Sequence, residues 1–555
     1  MSLKYSPRAV IWNEHKGVRT IPLSGPPLAC RRFYVYNESS GGLHPGRADP
    51  ACPGRQYRPG TARGRRSCLP STESERTSFM ERLNAWNTYD LEMQKACNEL
   101  AADYMSFMDR SKTERECIDF FVNEAEKNGY TELSRAIAEK KRLRPGDGVY
   151  SVWMNKSMVL FRIGEQPLEE GMNILGAHID SPRLDIKQNP LFEEGGFAML
   201  DTHYYGGIKK YQYVTLPLAI HGVVVKKNGE TVILNIGEDE DDPVFFISDL
   251  LVHLSQEQLK KPAAEVIEGE ALDLIVGNKP LIIDANTKAG REGKEPSGKN
   301  AVRDAVMAIL KQNYDMDEAD FESAELEVVP AGRAREAGFD RSMVLCYAQD
   351  DRVCAYPCFR AQMESGLTAR TSCTLLVDKE EIGSIGATGM RSRFFENALA
   401  EVMELCGQYS ELGLRRALAS SCMLSADVCS AFDPGYASCF ETKNAAYLGR
   451  GLVITKFTGS GGKLGSNDAN AEYIAHLRGL FEEAGVLTQT AEISRVDVGG
   501  GGTIAYILAL YGMNVIDSGV PVLSMHSPWE AASKADIYEA LRGYKAFLEK
   551  AGLRG

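Results

Sequence analysis

Histidine and acidic side chains follow short apolar runs at several points along the chain. Such runs end in GAHID, LLVDKEE, MLSAD and LSMH, and an Asp-Asp pair lies between the first two. Imidazole and carboxylate ligands without a thiolate are typical of a catalytic zinc site. A two-metal hydrolase needs about five such ligands, including a carboxylate shared by both ions, and a further carboxylate as general base. The residues that could meet this need are His178, Asp180, Asp350, Asp351, Glu380, Glu381, Asp427 and His526.

The apolar runs also predict the sheet that positions these residues. Continuous apolar runs of about 4–8 residues indicate strands buried on both faces. Between them lie patterns typical of amphipathic helices, namely AVRDAVMAILKQNY, RFFENALAEVMELCGQYS, DANAEYIAHLRGLFEEAG and DIYEALRGYKAFLEKAG. Alternating strands and helices predict an α/β fold with a mostly parallel sheet, whose carboxyl edge is where ligands bind. We therefore expect the polar ends of the four runs to converge on one site.

Two helices and a hairpin are predicted ahead of the first run. The nearly unbroken amphipathic pattern over 81–110 predicts a helix of about 25–30 residues. The segment KTERECIDFFVNEAEKNGY predicts a second helix, with Ser111 or Thr113 as its N-cap and Gly129 as its stop. The alternating segment GVYSVWMNKSMVLFRIG predicts two strands joined by a short Asn-Lys turn.

Residues 195–335 follow a different pattern. The β-rich stretch YQYVTLPLAIHGVVVKKNGETVILNIG contains an Asn-Gly pair, which favours a hairpin turn. An acidic loop and a glycine-rich loop follow it. We expect 195–335 to form a β-rich domain inserted into an α/β/α domain that comprises 80–194 and 336–555.

Charge separates the first 79 residues from the rest. The 555-residue chain has a net charge of −13. Residues 1–79 contribute 11 Arg and 2 Lys against 5 acidic residues, and they are rich in Pro, Gly and Ser. We expect this segment to be disordered or to be translated from ahead of a true start at Met80. A basic arm that binds RNA or a membrane is the alternative.

The composition of the whole chain argues against several classes of protein. Its acidic balance disfavours nucleic acid as a partner. No stretch approaches the roughly 18 apolar residues of a membrane span. The 13 cysteines form no CxxC pair, which suits a reducing compartment better than a secreted disulfide framework. We expect a cytoplasmic protein that binds neither nucleic acid nor membranes.

Five spaced motifs resemble those of the M18 family of metallo-aminopeptidases, the aspartyl aminopeptidase family. They are GAHIDSPRLDIK, YAQDDRVCAY, DKEEIGS, LSADV and VLSMHSPWE, and GGGGTIA recurs as well. The resemblance runs in order from Met80 to the C-terminus. The segments AFDP and NAAYLG are similar to those of a bacterial branch of the family. The resemblance implies a three-layer α/β/α zinc exopeptidase domain with a β-rich dimerisation or lid domain.

The resemblance also implies a ligand set for two zinc ions per subunit, with Co²⁺ or Mn²⁺ as alternatives. His178 and Asp427 would bind one ion. Glu381 and His526 would bind the other. Asp350 would be the carboxylate shared between them.

Further roles follow from the same resemblance. Glu380 would be the general base, and Asp180 would orient the imidazole of the first ligand histidine. Asp351 could replace its neighbour as the shared carboxylate, or pair with Arg352 or another group near the site.

Substrate preference and assembly stay open at this stage. The family's basic residue corresponds to Lys456, which would favour an acidic side chain, whereas Ser430 stands where many members have a substrate-binding histidine. A neutral or hydrophobic preference is the alternative. His253 corresponds to a histidine that reaches a neighbouring subunit's active site, and the family assembles dimers into a dodecamer. The other histidines of the α/β region and its insert, His203 and His221 among them, are interpreted as structural.

The sequence thus predicts a zinc-dependent aminopeptidase that hydrolyses the N-terminal residue of peptides with a free N-terminus. The alternatives are another two-metal amide hydrolase, such as a deacylase or carboxypeptidase, and a catalytically silent assembly protein.

Overall fold

The structure is a computed structural model that describes residues 9–11, 19–21, 83–280 and 300–552. The chain divides into two compact units, Met1–Thr77 and Ser78–Gly555. In the first unit, strands β1 (Ala9–Ile11) and β2 (Arg19–Ile21) pair antiparallel. The prediction for 1–79 otherwise falls outside the described residues and stays a prediction.

The second unit contains strands and helices in alternation. Its strands are β3 (Thr131–Glu132), β4 (Gly148–Trp153), β5 (Ser157–Arg162), β6 (Met172–His178), β7 (Arg183–Glu194), β8 (Phe197–Tyr205), β9 (Leu218–Val225), β10 (Thr231–Ile236), β11 (Leu274–Gly277), β12 (Ala324–Pro330), β13 (Arg335–Ala337), β14 (Met343–Cys346), β15 (Thr371–Val377), β16 (Cys422–Ser425), β17 (Cys429–Ser430), β18 (Leu452–Thr455), β19 (Thr488–Thr490), β20 (Asn514–Gly519), β21 (Pro521–Leu523) and β22 (Glu530–Ser533). Its helices are α1 (Leu91–Arg110), α2 (Glu114–Lys127), α3 (Leu133–Ala138), α4 (Ala301–Tyr314), α5 (Gln349–Glu364), α6 (Phe394–Cys406), α7 (Glu411–Ser420), α8 (Ala471–Glu483), α9 (Ala505–Ala509) and α10 (Lys534–Lys550).

Nine strands form the main sheet, in the order β19-β18-β20-β16-β6-β15-β5-β4-β3. Its four central strands, β20, β16, β6 and β15, run parallel. Every residue of β6, β15 and β16 is buried, as the continuous apolar runs predicted. The predicted strand before His526 is not part of the main sheet. This strand, β21, belongs to a separate five-stranded sheet in the order β13-β14-β22-β21-β17. The strand of the main sheet in that region is β20, which lies just ahead of it in the sequence.

Helices cover both faces of the main sheet. One core contains residues of α1, α2, α5, α8 and α10, and a second contains residues of α3, α6, α7 and α9. Within β6, Leu175 and Ala177 join the first core, whereas Met172 and Ile174 join the second. This alternation is what a strand between two helical layers requires. The α/β/α fold predicted from the sequence is confirmed.

Capping residues set the helix boundaries near the start of the second unit. Asp90 caps α1 and accepts a hydrogen bond from the Met93 N–H, so this helix has 20 residues and is shorter than predicted. A separate turn of 3₁₀ helix precedes it. Thr113, rather than Ser111, caps α2 and forms a capping box with Glu116.

A second, antiparallel sheet has its own core. Its six strands lie in the order β10-β9-β12-β7-β8-β11, and Val302 and Val306 of α4 pack against it. The sheet begins at Arg183, ahead of the predicted start of the insert, because β7 and β8 form one hairpin around a turn at Gly195 and Gly196. The domain limits themselves stay a prediction. Among the described residues, no helix has the length and apolar character needed to cross a membrane.

Candidate active site

Five predicted ligands meet beyond the carboxyl ends of the central strands. His178 is the last residue of β6, Glu381 lies in the turn after β15, and Asp427 follows β16. Asp350 is in the first turn of α5, and His526 follows β21 in the smaller sheet. All five line one cavity of about 260 Å³. Carboxyl ends of parallel strands share one edge of a sheet, which is why separate motifs converge here.

Asp350 lies between the two histidines. Its Oδ1 is 3.2 Å from Nε2 of His178, and its Oδ2 is 3.1 Å from Nε2 of His526. Potential ligand atoms form two groups, and within each group the atoms lie no more than 4.8 Å apart. The first group is His178, Asp350 and Asp427. The second is Asp350, Glu381 and His526. One carboxylate therefore belongs to both groups, as a shared ligand would.

The chemistry of the cavity fits metal cations. Asp350 Oδ1 and Glu381 Oε1 are buried and accept no hydrogen bond from the described residues, although each lies within 3.4 Å of a histidine nitrogen. No Lys or Arg belongs to the described residues that line the cavity, although five carboxylates do. Buried carboxylates need compensating charge, and divalent cations would supply it.

Burial and mutual repulsion control the protonation of the acids. Burial, together with the charges of Asp180 and Asp350, raises the pKa of Glu380 to about 7. Burial also raises the pKa of Asp427 well above its usual range. Burial opposes the charge of His526, but its hydrogen bond to Asp350 and the charge of Glu381 outweigh that and raise its pKa to about 10.

Asp180 contacts the segments that carry three other predicted site residues. Its carboxylate accepts hydrogen bonds from the backbone N–H groups of Glu380 and Glu381, both at 3.1 Å. Nδ1 of His178 lies 3.0 Å from the backbone oxygen of Asp180 and 3.2 Å from Oδ1 of the same residue. A donor at Nδ1 leaves Nε2 unprotonated for a metal. Asp180 thus orients the predicted base and two predicted ligands.

Glu380 and Asp351 lie outside both ligand groups. Glu380 lines the cavity beside them, which leaves its side chain available for proton transfer. Asp351 is fully buried, and its Oδ2 accepts a hydrogen bond from the backbone N–H of His178 at 3.3 Å. Its expected partner Arg352 instead donates to backbone oxygens, one of them that of Ile179 at 3.0 Å.

Two partners of the site were missed by sequence reasoning. The Gly207 carbonyl accepts a hydrogen bond from Nδ1 of His526 at 2.9 Å. Glu530 accepts from the backbone N–H of His526 at 2.7 Å and from that of Asp350 at 3.1 Å. Glu530 closes the VLSMHSPWE motif, so an acidic residue four positions after the ligand was a usable signal. The glycine run of the GGGGTIA segment contributes Gly500–Gly502 to the cavity wall.

Two predicted substrate-binding residues are not part of this cavity within the single chain. Lys456 is exposed, and the preceding residue, Thr455, lines the cavity instead. His253 lies in the exposed 3₁₀ turn Val252–Leu254 of the β-rich region.

The fold and the donor set together are those of a metal-dependent hydrolase. The family of aminopeptidase I zinc metalloproteases (M18) matches residues 107–548. A "Probable M18 family aminopeptidase 1" from Clostridium acetobutylicum is 56% identical over 465 residues, which cover 84% of this chain and 97% of that protein. One of the same name from Thermotoga maritima is 41% identical over 472 residues, which cover 85% and 99%.

Solved structures show the same relationship. The crystal structure of the Thermotoga maritima M18 aminopeptidase matches with a TM-score of 0.79 at 40% identity, covering 85% of this chain and all of that one. The crystal structure of aminopeptidase I from Clostridium acetobutylicum matches with a TM-score of 0.77 at 53% identity, and it also covers 85% of this chain and all of that one. This chain belongs to the M18 family and is a zinc metallo-aminopeptidase.

Proposed function

We propose that the protein hydrolyses the first peptide bond of peptides with two Zn²⁺ ions per subunit. His178 and Asp427 would hold one ion, Glu381 and His526 the other, and Asp350 both. The observation that carries the proposal is the position of the Asp350 carboxylate between the imidazoles of His178 and His526. This carboxylate belongs to both groups of potential ligand atoms. Co²⁺ or Mn²⁺ could occupy the same oxygen and nitrogen donors.

Glu380 is the proposed general base. Bound zinc supplies Lewis acidity and lowers the pKa of water. Glu380 accepts a proton from the attacking water and delivers it to the amine that leaves. The water oxygen bonds to the carbonyl carbon as the C–N bond breaks. Asp180 keeps the Glu380 backbone in place throughout, through the 3.1 Å hydrogen bond to its N–H.

The test of this role is Glu380→Gln, which keeps the shape and removes the base. Loss of a general base costs about 10²–10⁴-fold in kcat. We expect that fall on aminoacyl-p-nitroanilides, with zinc content unchanged by elemental analysis. Glu401→Gln, on the exposed side of α6, is the matched control and should keep wild-type turnover. Equal turnover of Glu380→Gln and wild type would contradict the mechanism.

The same assay defines the substrate. We expect cleavage of substrates with a free α-amine and none of their N-acetylated counterparts, whereas a deacylase would show the reverse. A panel of Asp, Glu, Leu, Met and Lys derivatives would reveal the preferred residue. Native mass spectrometry should show two zinc ions per chain, and one ion would contradict the dinuclear proposal.

Self-association of dimers into a dodecamer of twelve chains is proposed from an exposed apolar segment, residues 244–259. It includes Leu251, Val252 and Leu254, each more than half exposed, around His253. A yeast mature Ape1 dodecamer shares the fold, with a TM-score of 0.63 at 19% identity. Light scattering should give twelve times the 61.0 kDa chain mass. Leu251→Asp should lower that mass, and His253→Ala should lower activity if the histidine reaches a neighbouring site.

A cytoplasmic location is part of the proposal. The ten described cysteines are all free thiols, and nine of them are buried. Free thiols suit a reducing compartment. Cell fractionation would test the location.

A further inference from the structure

The last residue of strand β8 and the two glycines after it contact the active site from the second sheet. The Tyr205 hydroxyl donates a hydrogen bond to Oδ2 of Asp180 at 2.9 Å. Gly206 packs against Glu381, and a Cβ at this glycine would lie 3.3 Å from Oε2 of that carboxylate. The next residue, Gly207, supplies the carbonyl that accepts from His526. Three consecutive residues thus touch three parts of the metal centre.

We infer that Tyr205 is a positioning residue of the metal centre that acts through Asp180. The inference rests on the proposed function of the centre. It assigns to the second sheet a direct part in orienting the catalytic groups.

The contacts of Asp180 explain how one hydroxyl could matter. Oδ2 accepts from Tyr205 and from the Glu381 N–H, while Oδ1 accepts from the Glu380 N–H. The carboxylate itself is fully buried. Without the hydroxyl, Oδ2 would keep one donor, and the carboxylate could rotate away from the turn that carries Glu380 and Glu381. Outer partners of metal ligands typically contribute 10–100-fold to metal affinity or activity.

Tyr205 is itself held in a fixed position. Arg183 is its cross-strand partner in the β7–β8 hairpin, and the guanidinium carbon lies 4.0 Å from the centre of the tyrosine ring. Glu114 of α2 accepts a hydrogen bond from this guanidinium at 2.6 Å, which anchors the hairpin to the α/β/α domain. Burial and the charge of Asp180 raise the pKa of Tyr205 far above its usual range, so the hydroxyl keeps its proton and donates.

The first test compares Tyr205→Phe with Tyr204→Phe. Each change removes one hydroxyl, but Tyr204 is 44% exposed. For Tyr205→Phe we expect a fall in kcat of about 10–100-fold, a KM within about threefold of wild type, and zinc affinity lowered about 10–100-fold by chelator competition. Tyr204→Phe should match wild type in all three. Unchanged zinc affinity and kcat in Tyr205→Phe would overturn the inference.

A double-mutant cycle tests whether the effect passes through Asp180. In an Asp180→Asn background, Tyr205→Phe should cost less than threefold in zinc affinity, because the partner is already altered. An undiminished loss would show that Tyr205 acts by another route and overturn the inference. Zinc affinity does not depend on turnover. A wild-type protein that binds zinc but cleaves no peptide would therefore defeat the proposed function and still allow this test.

Discussion

The main sheet and the second sheet contribute differently to the same site. Strands β6, β15 and β16 are buried throughout, and the residues proposed as ligands lie at or just after their ends. Strand β10 of the second sheet instead alternates, with Leu234 buried and Ile233 69% exposed. A strand buried on both faces can present functional groups at its ends, whereas a half-exposed strand can also use its edges and faces. The main sheet therefore carries His178, Glu381 and Asp427 at its strand ends, and the second sheet contacts the site from the side.

Charged side chains join the second sheet to helix α2. Besides Glu114, the Arg183 guanidinium lies 3.1 Å from Glu327 of the second sheet. His221 of β9 contacts Glu116 of α2 at 2.8 Å and Glu238 at 3.3 Å. Charged groups in such places need partners on both sides. The position of the second sheet on the α/β/α domain is therefore specified by ion pairs as well as by apolar contacts.

Removal of the carboxylate proposed to bind both ions should have the largest effect on activity. Asp350→Asn takes a ligand from both donor groups at once. We expect activity to fall more than about 10⁴-fold, beyond the range for loss of a general base alone. Zinc content per chain should fall as well, measured by elemental analysis after dialysis.

Asp304→Asn on the exposed face of α4 is the control for this change and should keep full activity. If Asp350→Asn kept two zinc ions and turnover within tenfold of wild type, the carboxylate between the histidines would not be a ligand.

Truncation of a buried residue of the main sheet should lower the free energy of unfolding far more than truncation of an exposed residue of the second sheet. Leu175 is fully buried in the middle of β6, so Leu175→Ala should lower the free energy of unfolding by about 2–5 kcal/mol. Ile233→Ala in β10 should change it by less than about 0.5 kcal/mol. Chemical denaturation of the zinc-loaded proteins would measure both. A large loss at Ile233 would mean that the exposed face of β10 is covered by another subunit.

Strand ends of the main sheet could be predicted from the sequence because burial leaves a direct signal. Each apolar run predicts a buried strand, and the polar residues after it predict the end that faces the site. These residues are His178, Asp427 and the Glu380-Glu381 pair. Helix α5 was harder to predict. Most of its residues are buried, so it lacks the amphipathic period of a surface helix, and it contains Pro357. Its first turn nevertheless carries Asp350, which was recognised by residue type and motif alone.

The contacts from the second sheet could not be predicted in the same way. Gly207 contributes a backbone carbonyl, which every residue has, and Tyr205 reaches Asp180 only because of the register of β7 and β8. The division between β20 and β21 was missed for a similar reason. Gly519 ends β20 where a Cβ would lie 1.8 Å from the Asp427 carbonyl oxygen, a close approach that residue types alone do not reveal. Such contacts depend on tertiary packing.

The ion pairs of His221 should give a smaller effect than the truncation of Leu175, and one that depends on pH. Burial opposes the charge of this histidine, but hydrogen bonds to Glu116 and Glu238 outweigh it and raise its pKa above the usual value. His221→Gln should therefore cost about 1.5–3 kcal/mol where the histidine is charged. Lys112, 3.4 Å from Glu238, would still neutralise part of that carboxylate.

The sign of this dependence follows from linkage. Below about pH 6.5 both the folded and unfolded protein carry the proton, and the stabilisation is complete. As the pH rises through the raised pKa, the folded protein loses the proton and the stabilisation disappears. The gap between wild type and His221→Gln should thus be larger at pH 6 than at pH 9 in denaturant titrations. His203→Gln, at an exposed position of β8, is the control and should change the free energy of unfolding by less than about 0.5 kcal/mol. A gap at His221 that stays constant with pH would mean that apolar packing, rather than charge, joins the second sheet to α2.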